Sequence, residues 1–66
     1  MKNRYLIELR QKENLNLNQM ALKLGFSKSF YEKIESGSRK PSRNFIEKLL
    51  AVFPNVDIKA VLKGAP

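Results

Sequence analysis

Only Gly25, Phe26 and Ser27 separate two segments whose apolar residues recur at helical spacing. Each of the three carries a backbone instruction. Glycine past a helix end adopts the left-handed conformation that closes the last turn, and serine before a helix start caps its open N–H groups. Phe26 then precedes the cap with Tyr31 at the matching position inside the helix, the spacing of a hydrophobic staple. A connection this short forces two helices to meet at a sharp angle.

The same punctuation divides the rest of the chain into helices, with no alternating strand pattern, repeat or low-complexity tract. Helix 1 is expected from about Lys2 to Glu13, with Leu6, Leu9 and Leu15 on its apolar side and Asn14 as a left-handed cap. Asn16 is expected to cap helix 2, Gln19 to complete a capping box, and Leu15 to staple to Met20. Helix 3 runs from the Ser27 cap to Gly37. Ser42 caps helix 4 through Phe53, where Phe45, Ile46, Leu49, Leu50 and Phe53 form an apolar face and Pro54 ends it. Asp57 caps a last helix in which Ile58, Val61 and Leu62 close the core before Gly64 and Pro66. The expectation is an all-α single domain over residues 1–66.

At 66 residues, with no cysteine and no histidine, the chain has neither disulfides nor Cys/His zinc sites to staple it. Thiol chemistry and a histidine-based triad go with them. The carboxylates are scattered and no glycine loop cradles a phosphate, so no enzyme and no cofactor is implied. No apolar run approaches the roughly 18 residues of a membrane span, and the N-terminus lacks the layout of a signal peptide. A cytoplasmic protein with no membrane partner and no small-molecule ligand is expected. Thirteen Lys and Arg against six Asp and Glu give a net charge of +7, which favours polyanionic partners. A plain solvated basic surface is the alternative, and the location of the charge decides between them.

The tight turn makes residues 16–37 resemble a helix-turn-helix, the device that sets a second helix into a DNA groove. Glycine-terminated turns also occur in ordinary bundles. The faces of helix 3 separate the two readings. Phe30, Tyr31 and Ile34 make its buried stripe, and Lys28, Ser29, Glu32, Lys33 and Ser36 share the outer face. Lysine suits guanine N7 and O6, serine suits either base type, and glutamate accepts from the cytosine amino group. An ion-paired solvent face is the competing reading for Lys28, Glu32 and Lys33. Against it stands the neighbouring basic loop at residues 38–43. Arg39, Lys40 and Arg43 there, with Ser36 and Ser38, are suited to phosphates, and the helix starts after Asn16 and Ser42 add backbone N–H donors.

These residues also resemble a known family. "LNQMALKLGFSKSFYEKIESGSRKPS" is similar to the core of phage-repressor-like (Xre-type, Cro-like) regulators, with Ala21, Gly25, Phe26, Ser27, Ile34, Glu35, Gly37, Pro41 and Ser42 in register. The resemblance runs from helix 1 to helix 5. It implies a five-helix, lambda-repressor-like DNA-binding domain with helix 3 in the major groove. It also implies an ion pair between Arg10 and Glu35. The helical position of Glu35, beside Ile34 and off the Lys28–Glu32–Ser36 row, independently favours a structural over a catalytic role. Family members usually begin helix 2 with a glutamine that touches phosphate; Leu17 stands there, and Asn16, Asn18 or Gln19 is expected to serve instead. The Phe30–Tyr31 pair is bulkier than the family's usual residues.

The expected function is therefore sequence-specific binding of double-stranded DNA as a transcriptional regulator, a repressor that occupies an operator. The alternative class is a protein-interaction module, such as an antitoxin or antirepressor partner, whose basic face meets an acidic protein. One short helix reads only about four base pairs, which calls for a homodimer on a pseudo-palindromic operator. Val52, Phe53, Pro54 and Val56 are the candidate dimer surface. Almost nothing is left beyond a DNA-binding unit, so regulation is expected through concentration, a partner or proteolysis.

Overall fold

A capping side chain starts every helix in the computed structural model, which describes residues 2–64. The helices are α1 (Arg4–Lys12), α2 (Leu17–Leu24), α3 (Lys28–Ser36), α4 (Arg43–Val52) and α5 (Ile58–Lys63). Their caps are Asn3, Asn16, Ser27, Ser42 and Asp57. Each accepts a hydrogen bond from the N–H three residues on, satisfying a donor with no partner inside the helix. Asn16 and Gln19 exchange bonds reciprocally in a full capping box, at 2.8 and 2.9 Å. No strand occurs among the described residues.

Three boundaries differ from the sequence reading. Helix α1 begins two residues later than Lys2, because Asn3 has extended backbone and turns its side chain back to the Leu6 N–H. It ends at Lys12, and Asn14 takes the left-handed conformation at φ 59°. Helix α4 ends at Val52, since Phe53 leaves helical geometry at φ −125°, ψ 81° ahead of Pro54. Gly64 closes α5, and Pro66 lies outside the described residues.

Helix α2 packs on α3 and α4, and α1 packs on α3 and α5. Leu6, Met20, Ala21, Leu24, Tyr31, Ile34, Phe45, Leu49 and Val61 form one buried core fed by all five helices. Two leucines assigned to that core point outward instead. Leu62 is 58% exposed and Leu50 39%, because Val61 and Leu49, one residue earlier, already fill the inward positions of their short helices. Phe30 is also only partly buried, so Tyr31 and Ile34 alone make the fully buried apolar stripe of α3.

A polar clasp joins the two ends of the chain. Asn3 is 4% exposed; its Nδ2 donates to the Val61 carbonyl at 3.0 Å and its backbone N–H to the Glu35 carbonyl at 2.7 Å. Arg4 N–H adds a bond to the Gly64 carbonyl at 3.0 Å. The C-terminal carbonyls of α3 and α5 are thereby capped by the start of α1.

Candidate nucleic-acid interface

The turn between α2 and α3 depends on Gly25. Its φ of 84° and ψ of 27° lie in the left-handed region, and a Cβ added there would meet nothing within 4 Å. The demand for glycine is therefore conformational rather than steric. Its N–H and that of Phe26 return to carbonyls of α2, closing the helix before Ser27 opens the next.

Helix α3 is held from behind by a buried polar network. Glu35 receives Arg10 Nε on Oε2 and Arg10 Nη2 on Oε1, each at 2.9 Å, in a two-pronged pair. Tyr31 Oη donates to the same carboxylate at 2.6 Å, and Arg10 Nη1 donates to the Leu15 carbonyl at 3.0 Å. The Arg10 and Glu35 side chains are 17% and 8% exposed. The Arg10 guanidinium is held still more firmly in its charged form than usual, chiefly by the Glu35 hydrogen bond and against its own desolvation. Burial pushes the Tyr31 hydroxyl well above its ordinary 10.0, aided by the bond to Glu35 and by that carboxylate's charge. One set of contacts thus fixes α3 to α1 and to the α1–α2 connection.

On the opposite side of α3, Lys28, Ser29, Glu32, Lys33 and Ser36 are all exposed. At 100° per residue they occupy one continuous arc, while Phe30, Tyr31, Ile34 and Glu35 fill the other. No ion pair engages Lys28, Glu32 or Lys33 among the described residues. Ser36 Oγ is occupied locally, bonding the Lys33 carbonyl at 3.0 Å and Ser38 Oγ at 3.1 Å. Those two serines shape the exit of α3, and Arg39 N–H continues that exit by bonding the Lys33 carbonyl at 3.1 Å.

The basic residues beyond α3 are also exposed. Arg43 lies 3.7 Å from Glu47, with side chains 94% and 65% exposed, a surface contact too weak to withhold Arg43 from an anion. The Arg39 guanidinium carbon lies over the Phe30 ring, 4.9 Å from its centroid, an arrangement the sequence reading missed. Asn16, Asn18 and Gln19 line the exposed start of α2, where the capping box engages the Gln19 N–H and leaves those of Leu17 and Asn18 open. Leu17 packs against the core instead of reaching outward. Among the candidate dimer residues, Val52, Phe53 and Val56 are half-buried against the core and Pro54 is exposed. Together with Tyr5 and Leu9 of α1 they line a groove of about 270 Å³. Leu22, on the outer side of α2, is 70% exposed and was not singled out by the sequence reading.

Among the described residues, no acidic group is disposed to hold a metal ion and no helix is long and apolar enough to cross a membrane. A family model described as a helix-turn-helix domain matches residues 3–65. No curated protein and no solved structure matches the chain significantly.

Proposed function

The chain belongs to the helix-turn-helix domain family, and from that premise we propose a sequence-specific, double-stranded-DNA-binding transcriptional regulator of the phage-repressor-like (Xre-type) kind. The observation that carries this reading is the division of α3: one arc buried and bonded, the other wholly polar, exposed and free of ion pairs. In this reading α3 lies in the major groove, where Lys28, Ser29, Glu32 and Lys33 meet base edges. Arg39, Lys40 and Arg43, with Asn16, Asn18 and Gln19, contact phosphates on either side, and the open N–H groups at the starts of α2 and α4 add donors. Ser36 and Ser38 join these phosphate contacts by exchanging the bonds that their hydroxyl protons make to the Lys33 carbonyl and to each other. Repression follows from occupancy, since a protein seated on an operator excludes polymerase, and the reading places the protein in the cytoplasm of a cell whose DNA lies there.

Discrimination in a genome requires more than one such helix. A homodimer on a pseudo-palindromic site, meeting through Val52, Phe53, Pro54 and Val56, doubles the sequence read and sets the half-sites about 34–36 Å apart.

Selection from a random duplex library tests the reading, followed by titration of the selected site against salt. With about four to six phosphates neutralised per subunit, log K should fall with log salt at roughly −0.9 per contact. Binding that is flat with salt, or a library that yields no common sequence, overturns it. Selected sites without dyad symmetry would remove the dimer alone.

A further inference from the structure

Phe30 is out of character for its position. It sits at the border between the two arcs of α3, and its ring is only partly buried although the core lies beside it. Phe26 meets that ring with centroids 4.9 Å apart, and Phe26 in turn stacks on the fully buried Phe45 at 5.6 Å. On its outward side Phe30 carries the Arg39 guanidinium, 4.9 Å from the ring centroid. Three rings thus lead from the core to one surface cation.

That cation is the first basic residue after α3, and its backbone is tied to α3 by the bond to the Lys33 carbonyl. The attraction of a guanidinium to a ring face is electrostatic and takes up no acceptor, so its N–H groups stay available for hydrogen bonds. No hydrogen bond or ion pair among the described residues engages those groups. A mobile arginine loses rotamer freedom when it grips a phosphate, and one already ordered on a ring loses less.

We propose that Phe30 is a positioning residue for nucleic-acid binding: its ring holds the Arg39 guanidinium in place for a phosphate of the duplex that α3 reads. The proposal rests on the DNA-binding reading above. Phe30 itself touches no DNA, and its contribution passes entirely through Arg39.

The test is a double-mutant cycle of Phe30→Leu and Arg39→Gln, with affinity for a fluorescein-labelled random-sequence duplex measured by anisotropy across a salt series. Phe30→Leu should weaken binding by about 2- to 12-fold, the range expected when one ordered side chain is released. Its salt slope should stay that of the parent because the charge remains, whereas Arg39→Gln should lower the slope by about 0.9. In the Arg39→Gln background Phe30→Leu should cost nothing further; in a Lys40→Gln background it should cost its full amount. Phe30→Tyr, which keeps the ring, should bind like the parent. Phe30→Met supplies a second ring-free variant if Phe30→Leu does not fold. A loss that is the same with and without Arg39 overturns the positioning role while leaving DNA binding intact. A parent protein that shows no salt-dependent binding overturns the DNA reading and this proposal with it.

Discussion

Replacing Glu35 with alanine should damage the fold about as much as truncating a core side chain, while leaving the exposed arc of α3 untouched. The carboxylate accepts three hydrogen bonds, two from Arg10 and one from Tyr31, and its side chain is 8% exposed. Removing it strands the Arg10 guanidinium at 17% exposure with only the Leu15 carbonyl, and leaves the buried Tyr31 hydroxyl without an acceptor. Breaking one side of such a pair costs about 3–5 kcal/mol. A chain of this length has a total stability of about 3–10 kcal/mol. Glu35→Ala should therefore lower the melting temperature by at least about 12 °C, and should unfold the protein outright where the total stability is no larger than the loss. Far-UV circular dichroism during urea and thermal denaturation reads this directly. The cycle with Arg10→Met identifies the cause, because removing both charges should recover part of the loss by ending the stranded charge. A Glu35→Ala protein that melts with the parent, or a double variant no better than the sum of the singles, would refute the argument that an unpaired buried charge is what costs stability.

The same network predicts a response to alkali. Tyr31 is raised above its ordinary 10.0, so folding favours the protonated phenol; its contribution is complete below about pH 10 and is lost as pH rises beyond it. The melting-temperature gap between the parent and Tyr31→Phe should shrink above about pH 10, and a constant gap would contradict this. Asn3→Ala removes a helix cap and the donor to the Val61 carbonyl, which together should cost about 2–4 kcal/mol. Hydrogen exchange should show α5 opening first. For recognition, Lys33→Ala should relax discrimination at one or two base pairs by on the order of tenfold, and Arg43→Ala should weaken all duplexes about equally. Competition of the selected site against random DNA separates the two.

Local signals were the most legible in the sequence. Asn16, Ser27, Ser42 and Asp57 each cap as read, because a cap is decided by one side chain and an N–H three residues on. Asn3 carries the same signal, three residues before Leu6, and the stretch from Lys2 hid it. Leu50 and Leu62 were misread because helical spacing says which residues share a face but not how wide a face the neighbouring helices cover. The second role of Asn3, bonding Val61 58 residues away, has no local trace at all. The placement of Arg39 over Phe30 is hidden for the same reason. Both partners were visible, one as an aromatic in a stripe and the other as a charge in a loop, and only the path of the chain between α3 and α4 brings them together. On the exposed arc of α3 the residue types carry the chemistry, and fold adds chiefly the fact of exposure.

The division of α3 has a consequence for how such a chain changes its target. Tyr31, Ile34 and Glu35 commit one arc to the fold, through apolar burial and the Arg10 network. The side chains of Lys28, Ser29, Glu32 and Lys33 make no hydrogen bond or ion pair among the described residues, so substitutions there alter what α3 presents at little cost to stability. Effects on the two arcs should add independently where no contact joins them. Phe30 is where that independence ends, since the ring belongs to the aromatic row of the core on one side and to Arg39 on the other. Altering the core under Phe26 should therefore reach DNA affinity through Arg39, whereas altering Lys33 should leave the core unchanged.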